Sequence, residues 1–440
     1  MREMKDSGIE WIGAIPQDWK TDRLQWHLKE INVSNNPIQT KNILSLTIEA
    51  GVIPYAEKGN QGNKAKEDYS QYKIALPDTL VINSMNVIIG AVGISQYFGC
   101  VSPVYYVFEP IEGTDLRYIY YLFTNTGFQK EMRKYAKGIL EIRLRISSND
   151  MLKRIVPSPP FKEQQRIADY LDKMCAEIDA VLEKTRASIE EYKKLKQAVI
   201  TQAVTKGIRG DRPMKDSGIE WIGDIPAEWD VVRQKYFWNT VESGVSVNAA
   251  DKPVDNSEQY GVLKTSAVSK FVFIPTEHKQ VNLEEYGRVS CPVRADSIIA
   301  SRMNTPELVG ACGYVQNNYP NLFLPDRLWQ ITFKDGLSPK YAWYYLSGIR
   351  VRQYISSLST GTSSSMQNIS QSQYGNIFIT IPSIGEQSEI AKYLDEKCNS
   401  VDALIAKKQQ YLIEIENYKK SLIYEYVTGK KEVKTSVLAD

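Results

Sequence analysis

The sequence predicts an α+β fold made of two mixed α/β domains and two long helices that pair as a coiled coil. A short motif and a long helical segment both occur twice in the 440 residues, in the same order. Between them lie two blocks of different sequence, rich in the β-branched and aromatic residues that strands favour. The chain is therefore two copies of one unit, and each copy has its own insert.

The first repeated element is a short leader. Residues 4–19 read MKDSGIEWIGAIPQDW and residues 214–229 read MKDSGIEWIGDIPAEW, with thirteen of sixteen positions identical. The copies lie 210 residues apart. This degree of identity indicates an internal duplication.

The second repeated element is a helical segment that begins near Glu163 and again near Glu386. The chain reads EQQRIADYLDKMCAEIDAVLEK in the first copy and EQSEIAKYLDEKCNSVDALIAK in the second. Apolar residues recur every three, four or seven positions, and neither run contains Gly or Pro. This pattern predicts an uninterrupted helix of about 66 Å in each copy.

Each helix has a marked start and a narrow apolar stripe. Ser158 and Pro159 suit a cap followed by proline at the first helical position, and residues 383–386 have the S-x-x-E pattern of a capping box. A helix this long with so narrow a stripe needs a partner helix, and the other copy is the simplest partner. An antiparallel pair would place the inserts at opposite ends, and a parallel pair would place them side by side.

These elements divide the chain into five segments. The predicted bounds are 1–158 for the leader and first mixed domain, 159–207 for the first helix, 208–381 for the second leader and mixed domain, 382–430 for the second helix and 431–440 for a tail. Within the inserts, apolar runs at 81–82, 87–89, 104–108 and 271–274 predict strands, and residues 116–123 and 339–346 predict short helices. Residues 82–85 faintly resemble residues 300–303.

Composition excludes several classes of protein. The 54 Lys and Arg residues nearly balance 52 Asp and Glu residues, which excludes a uniformly polybasic binder but allows a locally basic surface. Five scattered cysteines and two histidines argue against a disulfide scaffold or a metal site. The charged N-terminus and the lack of a long apolar run predict a cytoplasmic protein that does not enter a membrane.

Polar and basic stretches in both inserts indicate nucleic-acid surfaces. Residues 128–154 contain eight basic and three acidic side chains, and residues 347–371 contain Arg350 and Arg352, no acid and many small polar residues. Such side chains contact phosphates and base edges. Either stretch alone could equally be a solvated surface, but their matching position in the two copies favours binding.

The sequence predicts no catalytic site. Residues 158–161, SPPF, resemble a methyltransferase motif, but no Gly-rich cofactor loop precedes them, so a helix start is the better interpretation. Asp255 with Glu277, His278 and Lys279 only loosely resembles a nuclease pattern. No P-loop or hydrolase motif is present.

The duplicated motifs resemble those of type I restriction–modification specificity subunits. They are the S-G-I-E-W-I-G-x-I-P-x-x-W leader, the P-x-x-x-E-Q-x-x-I-A-x-x-L-D motif at 159–172 and 382–395, and the S-P-x-Y and G-I-L stretches at 102–105 and 138–140. The resemblance covers essentially the whole chain.

The resemblance implies that each insert is a target-recognition domain for one half of a bipartite, asymmetric site in double-stranded DNA. The helices would form an antiparallel central spacer. The chain itself would bind no cofactor and no metal. Two modification subunits would bind S-adenosylmethionine and perform DNA methylation on adenine, and restriction subunits, which combine motor and nuclease, would use ATP and Mg.

Candidate contact residues follow from polar or basic loops and from the helix surface. The DNA-binding candidates are Asn83, Ser84, Asn86, Lys137, Arg143 and Arg145 in the first domain, and Ser301, Arg302, Asn304, Arg327, Thr362 and Ser363 in the second. The candidates for binding partner subunits are Gln164, Arg166, Gln387 and Glu389.

Other functions remain open from sequence alone. The chain could be a coiled-coil adaptor without direct DNA readout, or a specificity subunit of another restriction–modification class. A fused methyltransferase or nuclease is a third alternative.

Overall fold

The computed structural model describes residues 2–48, 50–59, 65, 68–86, 89–138, 144–256, 258–363 and 366–433. The chain forms two compact units. Unit 1 consists of Met1–Arg186 and Gln409–Asp440, and unit 2 of Ala187–Lys408. Because both boundaries fall within the long helices, each unit contains part of both helices.

Unit 1 is built around an antiparallel sheet of order β4-β11-β8-β9. Its strands are β1 (Met4–Asp6), β2 (Ala14–Pro16), β3 (Lys20–Arg23), β4 (Leu28–Ile31), β5 (Leu44–Thr47), β6 (Gly51–Pro54), β7 (Lys73–Ala75), β8 (Thr79–Asn83), β9 (Val92–Ser95), β10 (Gly99–Val101), β11 (Tyr105–Pro110) and β12 (Ile155–Ser158). Its helices are α1 (Leu116–Thr124), α2 (Thr126–Arg133), α3 (Ser148–Leu152) and the first part of α4 (Phe161–Lys206).

Unit 2 repeats this plan with the sheet order β16-β25-β21-β23. Its strands are β13 (Met214–Asp216), β14 (Asp224–Pro226), β15 (Asp230–Arg233), β16 (Trp238–Ser243), β17 (Ala249–Ala250), β18 (Gly261–Leu263), β19 (His278–Val281), β20 (Pro292–Val293), β21 (Ser297–Ser301), β22 (Met303–Asn304), β23 (Cys312–Val315), β24 (Tyr319–Phe323), β25 (Leu328–Phe333), β26 (Thr360–Ser363), β27 (Met366–Asn368) and β28 (Phe378–Ile381). Its helices are α5 (Pro339–Ser347), α6 (Ile349–Leu358), α7 (Gln371–Gly375) and the first part of α8 (Ile384–Val427).

Further sheets distinguish the two inserts. Unit 1 adds the strand pairs β5–β6 and β7–β10, whereas unit 2 adds a sheet of order β17-β19-β18-β24-β20 and another of order β22-β27-β26. The frame is shared: β3 pairs with β12 in unit 1 as β15 pairs with β28 in unit 2. The α+β fold with an internal repeat is therefore confirmed.

The leader folds as a hairpin in each unit. In the first copy, the Asp6 carboxylate accepts a hydrogen bond of 3.0 Å from the Gly8 N–H, and Gly8 and Gly13 have φ angles of 71° and 67°. Glycine adopts such angles without steric cost, which explains its place on both sides of the I-E-W-I turn. The second leader repeats these features at residues 216–223.

The long helices pack antiparallel within unit 1. Lys419 of α8 lies 2.6 Å from the Asp179 carboxylate of α4, and Arg186 lies 2.9 Å from Glu416. Higher residue numbers on one helix thus meet lower numbers on the other. Leu422 shares the buried core with the first part of α4.

Unit 2 contains the corresponding antiparallel pair. Lys196 of α4 lies 2.6 Å from the Asp402 carboxylate of α8. Ile200 and Val204 share a core with Leu394. The prediction of two long helices that pair antiparallel is confirmed, and α4 has 46 residues where α8 has 44.

The helix starts differ from the predicted caps. Helix α4 begins at Phe161, two residues after Pro159, because Ser158 still belongs to β12. At the second start, the Ser383 hydroxyl accepts a hydrogen bond of 3.3 Å from the Glu386 N–H, as a capping box requires. The Glu386 carboxylate, however, binds Arg212 and Trp229 instead of returning to the cap.

One predicted strand is wrong. Residues 271–274 form a loop in which Phe271 has a φ of 59°. The Ile274 N–H donates to the Ala267 carbonyl, and the Phe271 carbonyl accepts from the Trp343 indole. The apolar run reflects packing, not strand pairing. The short helices and the strands predicted near 81 and 104 are present as α1, α5, β8 and β11. Of the run predicted as a strand at 87–89, Val87 and Ile88 lie outside the described residues, and Ile89 is not in a strand.

A membrane span would need about 20 apolar residues in one helix. No helix within the described residues meets this requirement.

Candidate nucleic-acid interface

In unit 1, the central strand β8 ends in a polar turn. The Asn83 side-chain oxygen accepts a hydrogen bond of 3.0 Å from the Met85 N–H, and its carbonyl accepts one of 3.1 Å from the Asn86 N–H. The Ser84 carbonyl accepts a hydrogen bond of 3.3 Å from the Ile146 N–H. This last bond fixes the turn to the basic segment that precedes α3.

Two basic residues face each other in that segment. The backbones of Lys137 and Arg145 exchange hydrogen bonds of 2.8 and 2.9 Å, and both side chains are exposed. The pKa of Lys73 nearby is lowered, mainly by burial and also by the charge of Arg145, although Glu30 opposes this. The turn after β8 therefore lies beside positive charge.

Unit 2 has an equivalent turn after β21. The Ser301 hydroxyl donates to the Met303 carbonyl over 3.2 Å. The Arg302 carbonyl accepts a hydrogen bond of 3.0 Å from the Ile369 N–H, and the Arg302 N–H donates to the Arg327 carbonyl, also over 3.0 Å. Arg302 and Arg327 thus come together although they are far apart in sequence.

A hairpin completes the second site. Strand β22 pairs with β27, which places Asn304 opposite Gln367, and β27 pairs with β26. The hydrogen bond from Ile369 to Arg302 corresponds to the one from Ile146 to Ser84. Residues 82–85 and 300–303, which faintly resemble each other, therefore share this hydrogen bond, but the chain then forms a turn at 84–86 in unit 1 and strand β22 in unit 2.

A groove lies beside the turn in unit 1. Its volume is about 940 Å³, and its lining includes Asn83 and Asn86 together with the rings of Tyr55, Tyr72 and Tyr105. The pKa of Tyr105 is raised by burial and further by Tyr72. Aromatic rings beside amides can stack on bases and hydrogen-bond to base edges.

A smaller groove lies in the same place in unit 2. It measures about 500 Å³ and is lined by Arg302, Trp329, Thr360, Asn368 and Gln373, among others. Like the groove in unit 1, this groove places an aromatic ring beside amide and basic side chains. The tyrosines, Trp329 and the two amides were not predicted, because only strand pairing brings them to the turns.

The predicted DNA-binding residues occupy different environments. Three are buried and shape the turns: Asn83, Ser84 and Ser301. Six are partly or fully exposed: Asn86, Lys137, Arg145, Arg302, Asn304 and Arg327. Arg143 lies outside the described residues, and for Thr362 and Ser363 in β26 only the backbone is described. Contact with DNA remains a prediction for all of them.

The structure corrects the assignment of Gln164 and Gln387 to a partner surface. Their side chains are only 2% and 0% exposed. The Gln164 side-chain oxygen accepts a hydrogen bond of 3.0 Å from the Asp115 N–H, and Gln387 accepts one of 2.8 Å from the Ser338 N–H. Each glutamine therefore joins the start of a long helix to the loop before α1 or α5.

The other two predicted partner residues lie at the surface. Arg166 is exposed on α4. Glu389 is exposed on α8 and forms an ion pair of 2.7 Å with Arg209. Their role toward a partner stays a prediction.

A buried ion pair fastens the leader to the long helix in both units. In unit 1, Glu163 accepts hydrogen bonds of 2.5 and 2.9 Å from Arg2 and one of 2.9 Å from the Trp19 indole. In unit 2, Arg212, Trp229 and Glu386 repeat the arrangement. The repeated Trp and Glu were visible in the motifs, but their contact was not predicted. The shared arrangement gives both units the same junction.

Arg352 does not belong to the nucleic-acid surface suggested by its stretch. Its guanidinium is buried and donates to the carbonyls of Glu307 and Val309 over 3.1 and 2.6 Å. Burial lowers its pKa. Arg352 holds the loop that follows Asn304, whereas its neighbour Arg350 is exposed.

Among the described residues, no group of three or more His, Cys, Asp and Glu side chains could hold a metal ion. The five cysteines are buried as free thiols.

The chain is thus a duplicated α+β protein, and each of its two units has a polar segment beside a groove. Residues 16–191 and 226–417 match the type I restriction modification DNA specificity domain. The chain belongs to this family, which confirms the resemblance read from its motifs.

Similar proteins cover most of the chain. The protein assigned as the MjaX type I restriction enzyme specificity subunit of Methanocaldococcus jannaschii is 25% identical over 96% of both chains. The MjaVIII specificity subunit of the same organism is 27% identical over 73% of this chain and 71% of its own length. A structure from work on complex assembly and conformational transition of the type I R-M system has a TM-score of 0.68 at 16% identity, over 95% of this chain and 99% of that one. The last comparison supports the fold.

Proposed function

We propose that this chain is the DNA-recognition subunit of a type I restriction–modification complex, and that each unit reads one half of a bipartite, asymmetric target. The observation that carries the proposal is that β8 and β21, the corresponding strands of the two units, both end in a polar segment held by a matching backbone hydrogen bond, with Asn-Ser-Met-Asn in one and Ser-Arg-Met-Asn in the other. Equivalent positions with different donors and acceptors suit two readers of different sequences.

The exposed candidate residues in and near the two polar segments have two different roles in this proposal. Asn86 and Asn304 carry amides that can pair with the edge of adenine, and Arg302 can pair with guanine. Lys137, Arg145 and Arg327 are suited to phosphates, which position a protein without reading sequence. The near-neutral chain would then bind DNA in a salt-sensitive manner through these local groups.

The long helices act in this proposal as a spacer between the half-sites. Uninterrupted helices of 46 and 44 residues are stiff, and antiparallel pairing stiffens them further. A fixed number of unread base pairs between the half-sites is therefore expected. One extra helical turn in both α4 and α8 should change that number.

The chain itself is proposed to be non-catalytic. It would hold two modification subunits, which bind S-adenosylmethionine, and restriction subunits, which use ATP and Mg. Purified chain incubated with labelled S-adenosylmethionine and DNA should transfer no methyl group above background, and transfer would contradict the proposal.

The experiment that tests the proposal is co-expression with the modification subunit of the same system, followed by mapping of methylated adenines in cellular DNA. The expected result is a split motif of two different half-sites with a constant gap. Methylation that ignores this chain, or a continuous motif, would overturn the proposal.

A further inference from the structure

One exposed aromatic side chain recurs at the same place in both units. Trp26 ends a single 3₁₀ turn after β3 and is 64% exposed; Tyr236 lies in the matching turn after β15 and is 62% exposed. They are 210 residues apart, which is the offset of the leader repeat. A single exposed ring would carry no argument, but recurrence in the shared frame does.

The turns that present these rings are rigid. In unit 1, Leu24 is fully buried and its N–H donates to the Arg154 carbonyl over 2.9 Å. In unit 2, Gln234 is fully buried and its N–H donates to the Ile377 carbonyl over 3.0 Å. Because each anchor lies two residues before the ring, the outward position of the ring is fixed.

An arginine and an apolar strand residue accompany each ring. Arg23 pairs in register with Ile155, which is exposed, and Arg233 pairs with Phe378, whose ring lies 5.6 Å from the guanidinium. Both arginine side chains are exposed. Trp, Tyr and Arg are the residues that most often dominate protein–protein binding.

We propose that Arg23 with Trp26, and Arg233 with Tyr236, form two equivalent docking sites for two copies of one protein partner, the modification subunit. This inference rests on the proposed function, and it assigns a surface to the binding of the modification subunits. The partner should offer an apolar pocket for the ring beside a carboxylate for the arginine.

The position of the two sites indicates that their partner is a protein and not DNA. They lie in the frame that both units share, whereas sequence reading requires surfaces that differ between the units. Ile155 and Phe378 are apolar and would gain little from contact with phosphates. Two identical partner copies, by contrast, need the same surface to be presented twice.

The test uses the full chain co-expressed with the modification subunit and purified without DNA. Native mass spectrometry should find two modification subunits on the wild-type chain. Trp26→Ala and Tyr236→Ala should each weaken one site by at least about 30-fold, which leaves one subunit, and the double variant should retain none. Leu283→Ala, which alters a 79% exposed residue of the second insert, is the matched control and should retain two.

Each outcome decides between the proposals. If the wild-type chain binds no modification subunit, the proposed function fails. If the wild-type chain and both single variants bind two subunits with equal affinity, the docking sites are wrong and the proposed function stands. If complexes are unchanged but affinity for random duplex DNA falls in each variant, the rings contact DNA and the inference is overturned.

Three further variants protect the test against misfolding. Arg23→Glu and Arg233→Glu leave the rings in place and reverse the charge, so each should also remove one modification subunit. Tyr236→Phe keeps the ring and should retain two. Circular dichroism melting should match the wild-type chain for all of them, since every altered side chain is at the surface.

Discussion

The indole N–H of Trp19 donates a hydrogen bond of 2.9 Å to the buried carboxylate of Glu163, 144 residues away in sequence. Trp229 and Glu386 repeat the bond at 3.0 Å in the second unit. The last residue of each leader is thus fixed to the first turn of a long helix. This junction joins each leader to the compact unit that contains it and accounts for the repeated Trp and Glu.

Glu163→Ala should destabilise unit 1 by about 3 kcal/mol. The change leaves the buried Trp19 indole without its acceptor, which costs roughly 1–3 kcal/mol, and it also removes one of the two carboxylate partners of the Arg2 guanidinium. Chemical unfolding followed by circular dichroism measures the loss. Asp18→Ala removes the exposed partner of Arg2 and should cost less than about 1 kcal/mol. Equal losses for the two variants would show that Glu163 is not the main anchor.

Arg352→Ala should destabilise unit 2 by about 2–4 kcal/mol and leave the DNA target unchanged. The variant leaves the buried Val309 carbonyl without its donor, which costs roughly 1–3 kcal/mol, and it also removes the partly buried hydrogen bond to the Glu307 carbonyl and the packing of the side chain. Arg350→Ala, on the same helix but exposed, should change stability by less than about 0.5 kcal/mol. A change of target with normal stability would instead place Arg352 in the DNA interface.

Leu394→Ala should cost about 2–5 kcal/mol, because the side chain is completely buried where α8 packs in unit 2. Leu404→Ala, ten residues further along the helix, removes a side chain that is 42% exposed and should cost less than about 1 kcal/mol. Thermal melting of the two variants measures the difference. Similar melting temperatures would contradict the helix register described here.

The thiols should react slowly in the native chain. Burial raises the pKa of Cys175, Cys312 and Cys398 to about 11. The thiolate is the reactive form, so at pH 8 these residues should react on the order of 100-fold more slowly than an ordinary cysteine. Labelling with a disulfide reagent, before and after addition of denaturant, measures this rate. Rapid labelling of a folded chain would show that the thiols are accessible.

Much of the fold could be predicted from the sequence because its signals are local or repeated. The spacing of apolar residues determines the long helices, and the duplicated leader determines the two-unit plan. The turn after Asn83 was found because a β-branched run ends there. Its counterpart after Ser301 was found by alignment of the repeats.

The rest depends on contacts between residues that are distant in sequence. Gln164 occupies a polar position in a helical pattern, but the loop before α1 folds over it and buries it. Arg352 lies in a basic, polar stretch, yet its helix buries the side chain, which donates to the carbonyls of Glu307 and Val309. Phe271 begins an apolar run, but a positive φ turns the backbone away from any strand.

The most direct test of the central claim is replacement of residues 230–381 by the corresponding insert of another family member, followed by mapping of methylated adenines with the same modification subunit. One half-site should change, while the other half-site and the gap between them stay the same. A change in both halves, or in neither, would contradict the claim that each unit reads its own half of the target.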